Sequence, residues 1–143
     1  SLQPQLGAIH HLRLGEALAP LREEGVLIIG SGHLTHNLRE WIAFARRNGM
    51  QPAETEAEPY VREFGDWVDA ALRNDDRDGL ARWLEIAPHA RRAHPSDEHF
   101  LPLPFAFGAA GRAARVERID LGVDSGVLAM DAYAFWPRTA PAS

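Results

Sequence analysis

The chain has 143 residues, 20 of them acidic and 15 basic, and a formal net charge of -5. It therefore offers no basic field to a phosphate backbone, and nucleic acid is not expected as a partner. There is no cysteine, and every basic residue is arginine, which excludes disulfides, thiolate nucleophiles, Cys-based metal sites and lysine Schiff bases. Any metal must be held by His, Asp or Glu.

The 45% hydrophobic and 24% charged content is that of one soluble globular unit, or a piece of one. No apolar run approaches the roughly 18 residues needed to span a bilayer, so the expectation is a cytoplasmic protein with no membrane partner. The opening "SLQPQ" has no initiator Met and reads like chain entering a helix from a preceding element. We expect the chain to begin inside a larger protein.

Leu6 to Glu24 has apolar residues near helical spacing, with Pro20 expected to break the helix and Gly25 to stop it. "VLIIG" (26–30) is short, branched and bounded by glycines. It predicts a strand buried on both faces, as in a parallel sheet covered by helices. The following loop, "SGHLTHN", then lies at the carboxyl end of a strand, where open α/β sheets bind ligands. "LREWIAFARRNG" predicts a short amphipathic helix closed by Asn48 and Gly49, and "QPAETEAEP" a polar loop.

Pro59 suits the first position of a helix carrying Val61, Phe64, Val68, Ala71 and Leu72 on one stripe. "RDGLARWLEIAP" predicts another, ended by Pro88. In "SDEHFLPLPFAFGAAG", Ser96 resembles an N-cap with an acidic first turn, although Pro102 and Pro104 argue against a long regular helix. The tail "ARVERIDLGVDSGVLAMDAYAFW" predicts an antiparallel hairpin turning at "DSG". The elements predict an α/β fold: three layers, α/β/α, a mostly parallel or mixed central sheet and a C-terminal hairpin.

Chemistry concentrates in seven histidines: His10 and His11, His33 and His36, then His89, His94 and His99. Without cysteine, imidazole is the strongest ligand type available, and a mononuclear Zn, Fe(II) or Mn site needs two or three of them. The competing reading of each histidine is an exposed or capping residue. His33 and His36 stand out because they follow a strand signal directly, beside Gly30 and Gly32, which permit close backbone approach. "GSG" lacks the G-x-G-x-x-G order and a P-loop lysine, which disfavours nucleotide binding. Ser31 could sit on a nucleophile elbow, but "IGSGH" is not G-x-S-x-G.

"GVLIIGSGHLTHNLRE" together with "HPSDEHFLPLPFAFGAAG" resembles the C-terminal half of the class III extradiol ring-cleaving dioxygenases, in particular their bacterial and plant DOPA 4,5-dioxygenase-like group. The closing "GVLAMDAYAFW" is similar to that group's last strand. The resemblance covers nearly the whole chain. It implies one oxidoreductase domain, of which residues 1–143 are the C-terminal part and the N-terminal half is missing, and an expected bacterial setting in aromatic compound catabolism.

The resemblance further implies a single Fe(II), which zinc can replace, and cleavage of a catechol ring by O2. On the family's "THN" motif, His36 becomes the acid/base beside the metal or an additional ligand. On "EHFLPL", His99 becomes a metal ligand. His94 and Asn37 are placed near the substrate, and His33 falls where the family varies and receives no role. Two further ligand histidines of the family belong to "SHG" and "AHW" motifs that do not occur here. The chain alone is therefore expected to be inactive and to bind metal weakly.

Two other functions remain open from the sequence: a non-catalytic binding module on the same scaffold, and a serine hydrolase using Ser31. Homo-oligomerisation is a further possibility the sequence leaves open.

Overall fold

The computed structural model describes residues 2–49, 56–112 and 114–137; most of the expected polar loop "QPAETEAEP" lies outside them. Helix α1 (Gly7–Leu18) ends where Pro20 removes an amide, and the chain tightens into a 3-10 segment, Ala19–Glu24, closed by Gly25 at φ +78°. α1 crosses α7 (Pro102–Ala109) at very close range. The backbone of Phe105 and Ala109 lies where a side chain on Gly15 would go, and that of Leu12 and Glu16 where one on Gly108 would go. Glycine at these two positions is therefore a packing requirement.

Helix α2 (Leu38–Asn48) is capped by Asn37, whose side-chain oxygen accepts from the Glu40 amide at 3.2 Å, and stops at Gly49. Helix α3 (Pro59–Arg73) starts on its proline and buries Val61, Phe64, Val68, Ala71 and Leu72, the stripe expected from the sequence. Three short helices follow: α4 (Arg77–Ala81), α5 (Trp83–Ile86) and α6 (Ala90–Ala93). Their apolar residues meet α3 in a core centred on Phe64, Trp83 and Phe100, with Trp83 and Phe100 ring centroids 4.1 Å apart. Arg77 is buried on the α1 side, held by Glu16 at 2.8 Å, Asp75 at 2.7 Å and the Gly111 carbonyl at 2.8 Å.

The tail folds back as expected. Strand β1 (Arg115–Ile119) pairs antiparallel with β4 (Ala132–Trp136), in register from Arg115 opposite Trp136 to Ile119 opposite Ala132. Inside this pair, β2 (Val123–Asp124) and β3 (Leu128–Ala129) form a second short ladder. Its turn places Ser125 at φ +54° and Gly126 at φ +71°, which the "DSG" signal foreshadowed.

Two expectations differ from what is found. Among the described residues the ladders are antiparallel and two-stranded; residues 26–30 form no ladder. That segment has no regular secondary structure; Ile28 and Gly30 are half-buried, Gly30 against Pro102 and Ala106 of α7, while Leu27 is 82% and Ile29 75% exposed. Its composition suits a central strand, but one face and its edges lack neighbours. Second, Ser96 caps no helix. Residues 95–101 form bends and turns, Ser96 lies beside the Glu98 carboxylate and lowers its pKa, and helix begins only at Pro102, because a proline there has no amide for a preceding turn to use. The architecture is thus a helix-rich α/β unit with small antiparallel sheets. No helix among the described residues is long and apolar enough to cross a membrane.

Candidate metal centre

The loop of residues 31–37 is fixed along its length by hydrogen bonds to distant chain. The His33 amide donates to the His99 carbonyl at 3.0 Å, and the His36 amide to the Ala93 carbonyl at 2.8 Å. Thr35, fully buried, donates its hydroxyl proton to the Val127 carbonyl at 2.7 Å and accepts from the Ala129 amide at 2.8 Å, which ties the loop to the β2–β3 turn. Asn37 donates to the Arg92 carbonyl at 2.7 Å. Gly32 lies so near the His99 carbonyl that a Cβ would collide with it, and would press on the Pro102 ring.

These restraints bring together residues more than sixty positions apart. The rings of His36 and His99 stack with centroids 3.5 Å apart; those of His33 lie 5.2 Å from His36 and 5.8 Å from His99. One ring nitrogen from each of the three falls within 4.8 Å of the others. Nitrogen ligands sit about 2.0–2.1 Å from zinc, so a small adjustment of side-chain torsions brings all three within reach of one ion. Burial lowers the pKa of both His33 and His36, and the neighbouring His99 adds to it. Both rings are therefore held in the neutral form that binds metals. The donor set of soft-to-borderline imidazoles suits Fe(II) or Zn(II), and on that ground the residues fit the metal that the resemblance implies.

Beside the cluster lies a cavity of about 640 Å3, walled by residues 26–34, by Pro102, Leu103 and Ala106 of α7, and by β4. His33 and His99 are both part of its lining. The volume is in the range of small-molecule sites, and the walls are mostly aliphatic and aromatic.

His94 and Asn37, expected beside substrate, are placed differently. His94 is fully buried between Phe64, Trp83 and Phe100, and its Nε2 bonds the Leu34 carbonyl at 2.8 Å. Because a carbonyl only accepts, the Nε2 must carry the proton. Burial lowers the pKa of this imidazole to about 4. Asn37, also buried, is spent on the α2 cap and on Arg92. Both hold the loop from beneath, and neither lines the cavity.

Ser31 lines the cavity, but among the described residues it makes no hydrogen bond to an imidazole. His11 has both ring nitrogens engaged, with the Gly7 carbonyl and the Gln3 amide. His89 pairs with Glu63 on the surface at 2.7 Å. His33 is the residue that sequence reasoning passed over. Its spacing from His36 raised suspicion, but the resemblance gave it no role, and only the fold brings it to His99.

Comparison with known proteins supplies the family. The model of the family described as the catalytic LigB subunit of aromatic ring-opening dioxygenase matches residues 1–134. A 4,5-DOPA dioxygenase extradiol of Beta vulgaris is 39% identical over 135 residues, covering 94% of this chain and 47% of the relative. That of Portulaca grandiflora is 37% identical over 139 residues, with 94% and 47% covered. A crystal structure of an uncharacterized protein from Escherichia coli K12 superposes with a TM-score of 0.73 at 25% identity, covering 93% of this chain and 52% of that one. The chain therefore spans about half the length of the relatives it matches. With the family model matching nearly all of its described residues, the chain belongs to the LigB family of aromatic ring-opening dioxygenases.

Proposed function

We propose that this chain supplies one side of the active site of a metal-dependent extradiol dioxygenase, which opens a catechol-type ring with O2. The observation that carries the reading is the convergence of His36 and His99, with His33, at the edge of a small-molecule cavity. His99 acts as a metal ligand. His36 serves as the acid/base beside the metal or as a further ligand. The metal is Fe(II), with Zn(II) able to take its place. When bound, it lowers the pKa of the catechol hydroxyls and brings diol and O2 together.

The chain's own residues do the rest. A catechol must give up a proton before its oxygens can chelate. His36, which burial keeps deprotonated, can accept that proton and return it later in the reaction. The aliphatic wall of α7 and the 26–30 segment offers a flat ring an apolar surface and excludes water from it. His94, Asn37 and Thr35 act by position, since each fixes the loop that carries His33 and His36. In net terms, the ring bond next to the diol breaks and both atoms of O2 enter the product.

The remainder of the site, including ligands on "SHG" and "AHW" motifs, belongs to an N-terminal half absent from these residues, and the chain alone is inactive. In the whole domain, residues 26–30 take their place as a strand of a three-layer α/β/α sheet. The likeness to a solved structure twice as long supports that arrangement.

A non-catalytic module on this scaffold would have no need of an imidazole cluster beside a cavity, and a Ser31 hydrolase would need a base that Ser31 lacks among the described residues. The test is ring cleavage of DOPA or protocatechuate, followed by the colour of the ring-opened product, in the polypeptide that includes the remaining half. His36→Ala and His99→Ala should each lower turnover by roughly 10^2–10^4-fold, the scale of a lost acid/base or ligand. Near wild-type turnover in both variants would sink the proposal.

A further inference from the structure

We propose that His33 is a metal ligand, joining His36 and His99 on one divalent cation. The inference rests on reading His36 and His99 as ligands, but not on ring cleavage. It also reverses the expectation that the chain alone binds metal only weakly.

Four observations support it. The three imidazoles each place a ring nitrogen within 4.8 Å of the other two, and no carboxylate belongs to the group. Each imidazole is half-buried, and His33 and His99 face the cavity as part of its lining. His33 is anchored to His99 itself: its amide donates to the His99 carbonyl at 3.0 Å, and Gly32 allows that approach only because it has no Cβ. Finally, His33 Nδ1 is shielded from solvent and has no hydrogen-bond partner among the described residues. A buried imidazole nitrogen without a partner costs about 1–3 kcal/mol. Such a group in a folded protein calls for an explanation, and an ion shared with His36 and His99 supplies one.

The competing account makes His33 a polar residue that happens to sit in a tight turn. It explains the backbone hydrogen bond but not the orientation of the ring, which lies within 13° of the His36 plane and 26° of the His99 plane. An incidental side chain at the lip of a cavity would be free to turn to water.

The test uses the 143-residue chain, stripped of metal and titrated with Zn(II), and separately with Co(II), near neutral pH, where imidazoles are largely uncharged. The expected result is uptake of one ion per chain, with visible Co(II) bands of nitrogen coordination. His33→Ala should weaken affinity by at least about 10–100-fold, the range already seen when only a supporting residue of a metal site is lost. The exposed and distant His89→Ala should bind as wild type does. Ring nitrogen NMR of the unmutated chain provides a readout that needs no variant: the His33 signals should move on Zn(II) addition together with those of His36 and His99.

Uptake that depends on His36 and His99 while His33 signals stay still, or an unchanged affinity in His33→Ala, would overturn the third ligand and leave the dioxygenase reading intact. Failure of the chain to take up either ion stoichiometrically would overturn the three-histidine set. Loss of ring cleavage in the longer polypeptide is measured separately and bears on neither result.

Discussion

His94 makes the stability of this chain depend on pH in a way that can be worked out in advance. Its imidazole is enclosed by three aromatic rings and held near pKa 4, against 6.5 for the free side chain. The unfolded chain therefore takes up a proton as pH falls through 6.5, whereas the folded chain does not until about 4. Between these values the unfolded state binds more protons, so stability declines as pH falls. At about 1.4 kcal/mol per pH unit the full loss is roughly 3 kcal/mol, of which about 2 kcal/mol has gone by pH 5. His33 and His36 are also held below the ordinary value, and their contributions have the same sign. The comparison must therefore be with a variant that removes His94 alone. In His94→Gln the side-chain amide can still donate to the Leu34 carbonyl but does not titrate. Urea unfolding across the range from about pH 7.5 to 5 should show wild type losing about 2 kcal/mol more than the variant. Parallel loss in the two proteins would refute the reasoning. So would a His94 proton resonance that titrates near 6.5 in the folded chain.

Two further substitutions probe the loop above His94. Thr35→Val keeps the shape but removes the hydroxyl that serves both Val127 and Ala129; leaving a buried carbonyl and amide unpaired should cost about 1–3 kcal/mol in urea unfolding. Gly32→Ala drives a methyl group into the His99 carbonyl and presses it on the Pro102 ring. Relief requires the loop to lift, so stability should fall by about 1–3 kcal/mol, and Zn(II) affinity should fall with it, as followed by competition with a coloured chelator.

Much of the helical half was legible because its signals are local. The apolar stripe of α3, the proline at its start, the break at Pro20 and the "DSG" turn each rest on a few neighbouring residues, and tertiary packing reinforced them. The 26–30 segment was legible as apolar but not in its burial. Hydrophobic composition says that a segment prefers to be covered and is silent on whether a cover is at hand. Ser96 misled for a different reason, since an N-cap signal cannot foresee that Pro102 will set where the helix begins. At the site, His36 and His99 came from a family pattern and their closeness from the fold. His33 had no pattern behind it. Its partnership with His99 depends on a backbone hydrogen bond spanning sixty-six positions, and no reading of neighbouring residues reaches that far. His94 and Asn37 show the converse case: polar residues inside a site motif can serve the loop from beneath.

The segment at 26–30 also divides the molecule energetically. The helices around Phe64 and Trp83 have buried nearly all they can bury, whereas Leu27 and Ile29 remain mostly in water, and the amides of residues 27–30 have no backbone partner among the described residues. Covering two such side chains is worth about 1.5–3 kcal/mol each, and pairing the backbone adds to that. In the chain alone this segment therefore leaves several kcal/mol of association energy unused, along the same cavity wall as His33. An open edge of this kind favours pairing with any extended chain brought alongside it. Two of the imidazoles, His33 and His99, and this uncovered segment consequently line one cavity, and whatever settles on the segment alters the solvent around them.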